Sequence, residues 1–116
     1  MPLHLPDPTE VPVPGGKSIR EYVGGASTAD SGVSVAVMRA PAGWAEPHQA
    51  PDFDEVTLVL DGVVRVESAE GTLDVAAGEA VLTRAGERVR YSCPEPAHYV
   101  AICVPAFRPD LVHREG

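Results

Sequence analysis

Residues 43–62 read GWAEPHQAPDFDEVTLVLDG. The first half of this stretch carries His48 and an acidic cluster that ends at Glu55. The second half is a run of alternating apolar residues that ends at Gly62. Because successive side chains of a β-strand point to opposite faces, such a run is typical of a strand with one buried face. The stretch therefore predicts a binding site built on β-strands.

Short apolar runs separated by turn residues recur along the rest of the chain. They cover residues 19–23, 33–40, 63–68, 72–75, 80–84, 88–92 and 98–104. None of them shows helical i, i+3, i+4 spacing over a useful length. Eight or nine short strands with regular turns predict an all-β sandwich or barrel. Only the tail from Phe107 could turn helical, with Asp110 as a candidate cap.

Two dipeptides predict tight turns between paired strands. Asp61-Gly62 is the strongest such signal, because type I′ turns favour this pair between alternating strands. Glu70-Gly71 is the second. Both are expected to close β-hairpins.

The two cysteines, Cys93 and Cys103, are predicted to be reduced. The turn residues between their strands would centre a further hairpin near Glu95 and Pro96. In that register the two sulfur atoms are not cross-strand neighbours, so they could not form a disulfide without backbone movement. Neither cysteine has a neighbouring basic residue that would activate a thiolate.

Length and composition predict one domain. The chain has 116 residues and 44% hydrophobic residues, which is ordinary for a single globule with one core. Residues 1–16 hold five of the 12 prolines and are predicted to form an extended arm, and residues 17–116 the folded domain. No apolar run is long enough for a membrane span, and the N-terminus lacks the pattern of a secretory signal. We therefore expect a cytoplasmic protein.

The charge balance limits the partners. A formal net charge of −8 repels phosphate backbones and anionic lipid surfaces, which disfavours nucleic-acid and membrane binding. The expected partners are a small molecule and, in a homodimer, a second copy of the chain. The sequence contains no P-loop, no GxGxxG, no GxSxG elbow, no CxxC and no HExxH.

The spacing of His48, Glu55 and Gly62 resembles the first motif of the cupin family, which has a second histidine where this chain has Ala50. A second resemblance follows it. Gly78 and Gly86 stand at the interval of the second cupin motif. Its histidine is replaced by Val89 and its asparagine by Cys93. The resemblance spans residues 33–105, and the tail is similar to that of short cupins of the ethanolamine-utilisation type.

This resemblance implies a cupin double-stranded β-helix, or jelly-roll barrel, with its ligand pocket in the mouth. Small barrels of this kind commonly dimerise by exchanging edge strands, which covers otherwise exposed backbone donors. The proline-rich arm would be the covering element. The resemblance also implies a metal site of three histidines and one glutamate, of which only His48 and Glu55 are present in this chain.

Two protein ligands rarely hold a divalent ion against water. We therefore expect no metal and no cofactor. A divalent metal held by unusual ligands, His48, Glu55 and Glu46, is the alternative.

Without a metal, His48 and Glu55 are predicted to be the catalytic pair. The period-two alternation puts Glu55, Thr57 and Val59 on one face, which the resemblance assigns to the barrel interior. A buried carboxylate beside an imidazole could exchange a proton near neutral pH. The alternative is a structural His–Glu hydrogen bond that prevents an unpaired buried carboxylate. The residues predicted to bind substrate are Trp44, Gln49, Phe53, Thr57, Val59, Val89 and Tyr91.

Three functions remain open from the sequence. The first is a small-molecule enzyme without a standard metal site, an isomerase, cyclase, dehydratase or lyase that uses His48 and Glu55 as acid and base on a compact metabolite. The second is a non-catalytic cupin that binds a metabolite, as an accessory protein. The third is a divalent-metal-dependent cupin with unusual ligands. The first is our prediction.

Overall fold

A computed structural model describes residues 1–116 as ten β-strands and one short 3-10 helix. The strands are β1 (Thr9–Val11), β2 (Ser18–Val23), β3 (Ser34–Ala40), β4 (Trp44–Ala45), β5 (Asp54–Asp61), β6 (Val63–Ser68), β7 (Gly71–Ala76), β8 (Ala80–Thr83), β9 (Arg90–Cys93) and β10 (Ala97–Val104). The 3-10 helix is Pro109–Leu111. The predicted all-β class is confirmed.

The strands form two antiparallel sheets, in the arrangement predicted for a jelly-roll barrel. One sheet has six strands in the order β1-β2-β3-β10-β5-β8, and the other has four in the order β4-β9-β6-β7. Ten buried residues pack between the sheets and form the main core. They are Ala40, Val59, Val64, Val66, Val75, Val89, Tyr91, Cys93, Ala97 and Tyr99.

The hairpin predicted at Asp61-Gly62 is wrong. β5 pairs with β10 and β8, whereas β6 pairs with β7 and β9, so the chain crosses between sheets at this dipeptide. Gly62 has φ +80°, and a Cβ atom there would lie 2.1 Å from the Pro96 carbonyl oxygen. The glycine is therefore required by a close backbone approach, which the local sequence does not distinguish from a hairpin turn.

The hairpin predicted at Glu70-Gly71 is confirmed. β6 and β7 pair over their whole length, from Val63↔Ala76 to Ser68↔Gly71. β7 forms the edge of its sheet, so β6 is its only strand partner, whereas β6 also pairs with β9.

The hairpin predicted near Glu95 and Pro96 is wrong, although the conclusion about the cysteines is right. β9 lies in the four-stranded sheet and β10 in the six-stranded sheet. Cys93 therefore lies opposite Trp44, and Cys103 opposite Glu55 on one side and Ser34 on the other. Both cysteines are buried and unpaired.

The N-terminal arm contributes to this chain's own sheet. β1 pairs with β2 through Thr9↔Glu21 and Val11↔Ile19, and it forms one edge of the six-stranded sheet. An edge position suits a proline-rich segment, because proline has no backbone N–H to donate and an edge strand needs hydrogen bonds on one side only.

The C-terminal tail closes over the barrel mouth. Arg108 precedes the 3-10 helix as its N-cap, so the predicted capping role of Asp110 is wrong. Beyond the helix, Arg114 forms a β-bridge with Gln49, and the amide of Glu115 donates to the carbonyl of His48 at 2.9 Å. No helix in the protein has the length and apolar character needed to cross a membrane.

The outer face of the six-stranded sheet is apolar near β5 and β8. Leu58, Leu60 and Leu82 are each more than a third exposed there. Apolar side chains of this kind are the sort that a dimer interface buries. The homodimer stays a prediction: light scattering after gel filtration is expected to give twice the 12.2 kDa of one chain, and a mass of 12.2 kDa would contradict it.

Candidate functional site: the cavity in the barrel mouth

A cavity of about 580 Å³ opens in the barrel mouth. Its floor is the inner face of the six-stranded sheet, and residues of the arm and the C-terminal tail form part of its rim. About half of its lining residues are hydrophobic, including Ile19, Met38, Phe53 and Val112. A concave, mostly apolar space with a few polar groups is typical of a small-molecule site.

Period-two alternation decides which side chains reach this cavity. On β5 it turns Glu55 and Thr57 inward, as predicted from the sequence. On β10 the same alternation presents Tyr99, Ala101 and Cys103. On β2 it presents Ile19 and Glu21, following Lys17 just before the strand.

The structure brings together only part of the predicted site. Five predicted residues line the cavity, together with the alternative ligand Glu46: Gln49, Phe53, Glu55, Thr57 and Tyr91. Val59 and Val89 lie in the core behind the cavity, with 0% and 1% of their surfaces exposed. Trp44 is half-buried at the rim beside Lys17.

The predicted pairing of His48 with Glu55 is not found. Gln49 pairs with Val89, and its side chain is buried in the cavity wall, which turns the neighbouring His48 to the opposite side. His48 does not line the cavity, and its electrostatic neighbour is Glu115 in the C-terminal tail. The acid/base couple is therefore not assembled.

The substitute metal ligands are not assembled either. Glu46 and Glu55 both face the cavity, but His48 does not join them. No group of three or more His, Cys, Asp or Glu side chains converges anywhere in the protein.

Three cationic side chains line the cavity, and none of them was predicted as a site residue: Lys17, Arg108 and Arg114. The ammonium of Lys17 lies 3.9 Å from the centre of the Trp44 ring and 5.4 Å from that of Tyr99. Both distances suit cation–π attraction. Alternation with Ile19 and Glu21 was the signal that could have placed the only lysine of the chain in the site.

Arg114 anchors the tail to the cavity wall. Its Nη2 lies 3.3 Å from Glu46 Oε2, and its Nε donates to Gln49 Oε1 at 3.3 Å. The tail is held further by pairs between Arg88 and Glu115 and between His113 and Asp52. The guanidinium of Arg114 is therefore already partnered.

Burial controls the charges of the cavity. Burial, followed by repulsion from Glu46, raises the pKa of Glu55 to about 7, against the opposing effects of Lys17, Thr57 and Arg114. Burial likewise raises the pKa of Glu46 and lowers that of Lys17. At neutral pH the Glu55 carboxyl is thus divided between its acid and its anion.

The two tyrosines of the cavity differ in their hydrogen bonds. The Tyr91 hydroxyl donates to Thr83 Oγ1 at 3.0 Å, and burial raises its pKa, so it is a satisfied neutral phenol. Tyr99 makes no side-chain hydrogen bond, and its hydroxyl is not sealed from the cavity. Burial also raises the pKa of Tyr99, so its phenol remains protonated and able to donate.

The chain is similar in sequence to one part of a longer protein. It is 43% identical over 107 residues to Endoribonuclease YbeY of Myxococcus xanthus strain DK1622. The match covers 90% of this chain but 36% of the relative, so the chain spans about a third of the length of the curated protein it matches. No family model matches the chain.

This relative contradicts the function predicted from the sequence. We predicted an isomerase, cyclase, dehydratase or lyase with His48 and Glu55 as acid and base, but the relative that is 43% identical over 107 residues is named an endoribonuclease. The geometry agrees with the correction, because His48 lies outside the cavity that contains Glu55.

Solved structures resemble the chain over most of its length. An RmlC-like cupin from Shewanella frigidimarina NCIMB 400 superposes with a TM-score of 0.74 at 15% identity, covering 89% of this chain and 87% of that one. The EutQ protein of Clostridium difficile gives a TM-score of 0.61 at 15% identity, with coverages of 80% and 72%. Identities this low establish the fold alone. The chain therefore has the fold of a small RmlC-like cupin, as the sequence motifs predicted.

Proposed function

We propose that this chain works as part of an endoribonuclease system of the YbeY kind, in which it supplies a small-molecule-binding cavity that sets the rate of RNA cleavage. The observation that carries the proposal is the match of nearly the whole chain to about a third of a protein named Endoribonuclease YbeY. In this proposal the aligned third regulates the remainder of the nuclease.

The charge and shape of the chain favour a regulatory role over that of the RNA-cutting part. Its formal net charge of −8 would repel an RNA backbone. The cavity is closed in by the arm and the tail, and its walls are largely apolar. Such a space suits a compact organic molecule better than a polynucleotide.

Three earlier expectations are kept as parts of this proposal. The partner of the cavity is a small molecule rather than a nucleic acid or a membrane. The chain needs no cofactor of its own. It acts in the cytoplasm, where an endoribonuclease meets its RNA substrates.

The test compares RNA cleavage by three proteins, using a fluorescently labelled RNA hairpin. They are this chain alone, the intact Myxococcus relative, and the relative without its aligned third. The chain alone is expected to cut no faster than buffer, whereas the shortened relative is expected to cut at a rate that differs at least threefold from that of the intact protein. Cutting by the chain alone would place the nuclease centre here, and equal rates for the two relatives would remove the regulatory role.

A second variant covers the case in which the shortened relative does not fold. A tryptophan is placed in the intact relative at the position aligned with Ala101, which lines the cavity of this chain. Circular dichroism checks the fold. A change in cleavage rate with the fold intact supports the proposal, and an unchanged rate with a filled cavity opposes it.

A further inference from the structure

Lys17 is the one cation of the cavity that has no anionic partner. Arg114 pairs with Glu46, and Arg108, at the rim, pairs with Asp110. No carboxylate lies within salt-bridge distance of Lys17, whose ammonium rests on the ring of Trp44. A half-buried ammonium in this position has lost part of its hydration without gaining a direct ion pair.

None of the cavity's carboxylates forms an ion pair with Lys17. Glu46 is held by Arg114 at 3.3 Å, and Glu21 accepts from the amide of Ala26 and the hydroxyl of Ser27, both at 2.9 Å. Glu46 is nonetheless the carboxylate whose charge acts most on Lys17. Glu55 comes next. Its own charge is reduced at neutral pH, since burial and Glu46 raise its pKa to about 7.

A hydrogen-bond donor near Lys17 favours an anionic ligand. The ring centre of Tyr99 lies 5.4 Å from the Lys17 ammonium, and the Tyr99 hydroxyl has no hydrogen-bond partner within the protein. An ammonium and a phenol together offer charge-assisted hydrogen bonds to one anionic group. A ligand ammonium would instead meet the positive charge of Lys17.

The remaining walls specify the body of the ligand. The inner face of the sheet presents Ile19, Ala36, Met38 and Ala101, and the far side is closed by Phe53 and Val112. These side chains offer no hydrogen bonds, so they favour an apolar body.

We propose that the cavity binds a compact organic carboxylate, with its anionic head between Lys17 and Tyr99 and its apolar body against Ile19, Met38 and Phe53. This inference rests on the proposed role of the cavity as a ligand site. It adds the chemical class of the ligand, which the cavity alone does not give.

The experiment uses three probes of equal chain length: hexanoate, hexan-1-ol and hexylamine. Each is titrated at pH 7 into the full chain, and binding is measured from amide shifts in NMR spectra. Trp44 fluorescence serves as a local reporter, since it is the only tryptophan and contacts Lys17. Hexanoate is expected to bind at least tenfold more tightly than hexan-1-ol, and hexylamine more weakly than both.

Substitution of Lys17 identifies the charge that is responsible. Lys17→Gln is expected to remove the tenfold preference for hexanoate while hexan-1-ol still binds, and Lys17→Arg is expected to restore most of the preference. Arg20→Gln is the matched control: Arg20 lies on β2, three residues after Lys17, is exposed, pairs with Glu10 outside the cavity, and carries the same charge. Thermal unfolding verifies that each variant is folded.

The possible failures are distinct. If hexan-1-ol binds as tightly as hexanoate, or if Lys17→Gln and Arg20→Gln act alike, the carboxylate inference is wrong but the cavity remains a ligand site. If none of the three probes binds, the carboxylate inference and the proposed ligand-binding role are both wrong.

Discussion

Gly62→Ala is expected to lower the free energy of unfolding by about 3 kcal/mol or more, because two independent costs coincide at this residue. Gly62 has φ +80°, a left-handed conformation that costs an alanine about 1 kcal/mol. The added Cβ would also lie 2.1 Å from the Pro96 carbonyl oxygen and 2.9 Å from Ala97 Cα. These are backbone atoms at the start of β10, so they cannot move aside without disturbing the pairing of β10 with β5.

Gly86→Ala is the control that separates the two costs. Gly86 has φ +85°, and a Cβ atom there would meet no atom within 4 Å. Its substitution should cost only the conformational part, about 1 kcal/mol. Urea unfolding followed by circular dichroism measures both variants. Equal losses for Gly62→Ala and Gly86→Ala would mean that the chain relaxes freely at the crossing between the sheets.

Glu55→Gln is expected to make the protein more stable at pH 8 by about 1–3 kcal/mol, with little effect near pH 4.5. Burial and Glu46 raise the pKa of Glu55 from 4.5 to about 7 in the folded protein. The folded state therefore binds this proton more tightly than the unfolded state does. The stability linked to Glu55 is present at pH 4.5 and is lost as the pH rises to 7 and above, where folding keeps a poorly solvated anion. Glutamine carries no charge, so the variant avoids that loss.

The measurement is the urea unfolding midpoint at pH 4.5, 6, 7 and 8. The exposed Glu87 gives the matched control, and Glu87→Gln should leave the pH profile of the parent unchanged. Glu46 faces the same cavity, and its raised pKa should leave a smaller slope of the same sign in the Glu55→Gln protein. Parallel profiles for the parent and Glu55→Gln would show that the Glu55 carboxyl is well solvated in the folded state.

The fold was readable from the sequence because it depends on patterns within each strand. The alternation correctly put Thr57 and Val59 on one face of β5, the cupin resemblance assigned that face to the interior, and Glu70-Gly71 correctly marked a hairpin. The hairpin prediction at Asp61-Gly62 was wrong because a turn signal shows where the chain changes direction but not which strands then pair. The partners of β5 and β6 are set by packing between distant parts of the chain.

The candidate site was less predictable than the fold, because it also depends on packing between distant parts of the chain. Lys17 and Arg114 come from opposite ends of the chain and meet only when the arm and the tail close the mouth. The prediction for His48 was wrong because a β-bridge between Gln49 and Val89 fixes which side chains face inward. The sequence after Pro47 has no strand pattern that would show which of these residues faces the cavity. A pattern of residue types can therefore suggest a ligand set without establishing that its members face one another.

The strand order has a consequence for the synthesis of the protein. β3 lies between β2 and β10, and its register with β10 runs from Ala40↔Ala97 to Ser34↔Cys103. A ribosome must therefore release the chain beyond Cys103 before β3 gains its second partner, so the six-stranded sheet is completed only after strands β1 to β9 have all emerged. Pairings between such distant segments also lengthen the search for the native state, and sheets of this type fold over milliseconds to seconds. Until then the apolar strands remain exposed, and the acidic character of the sequence opposes association between growing chains.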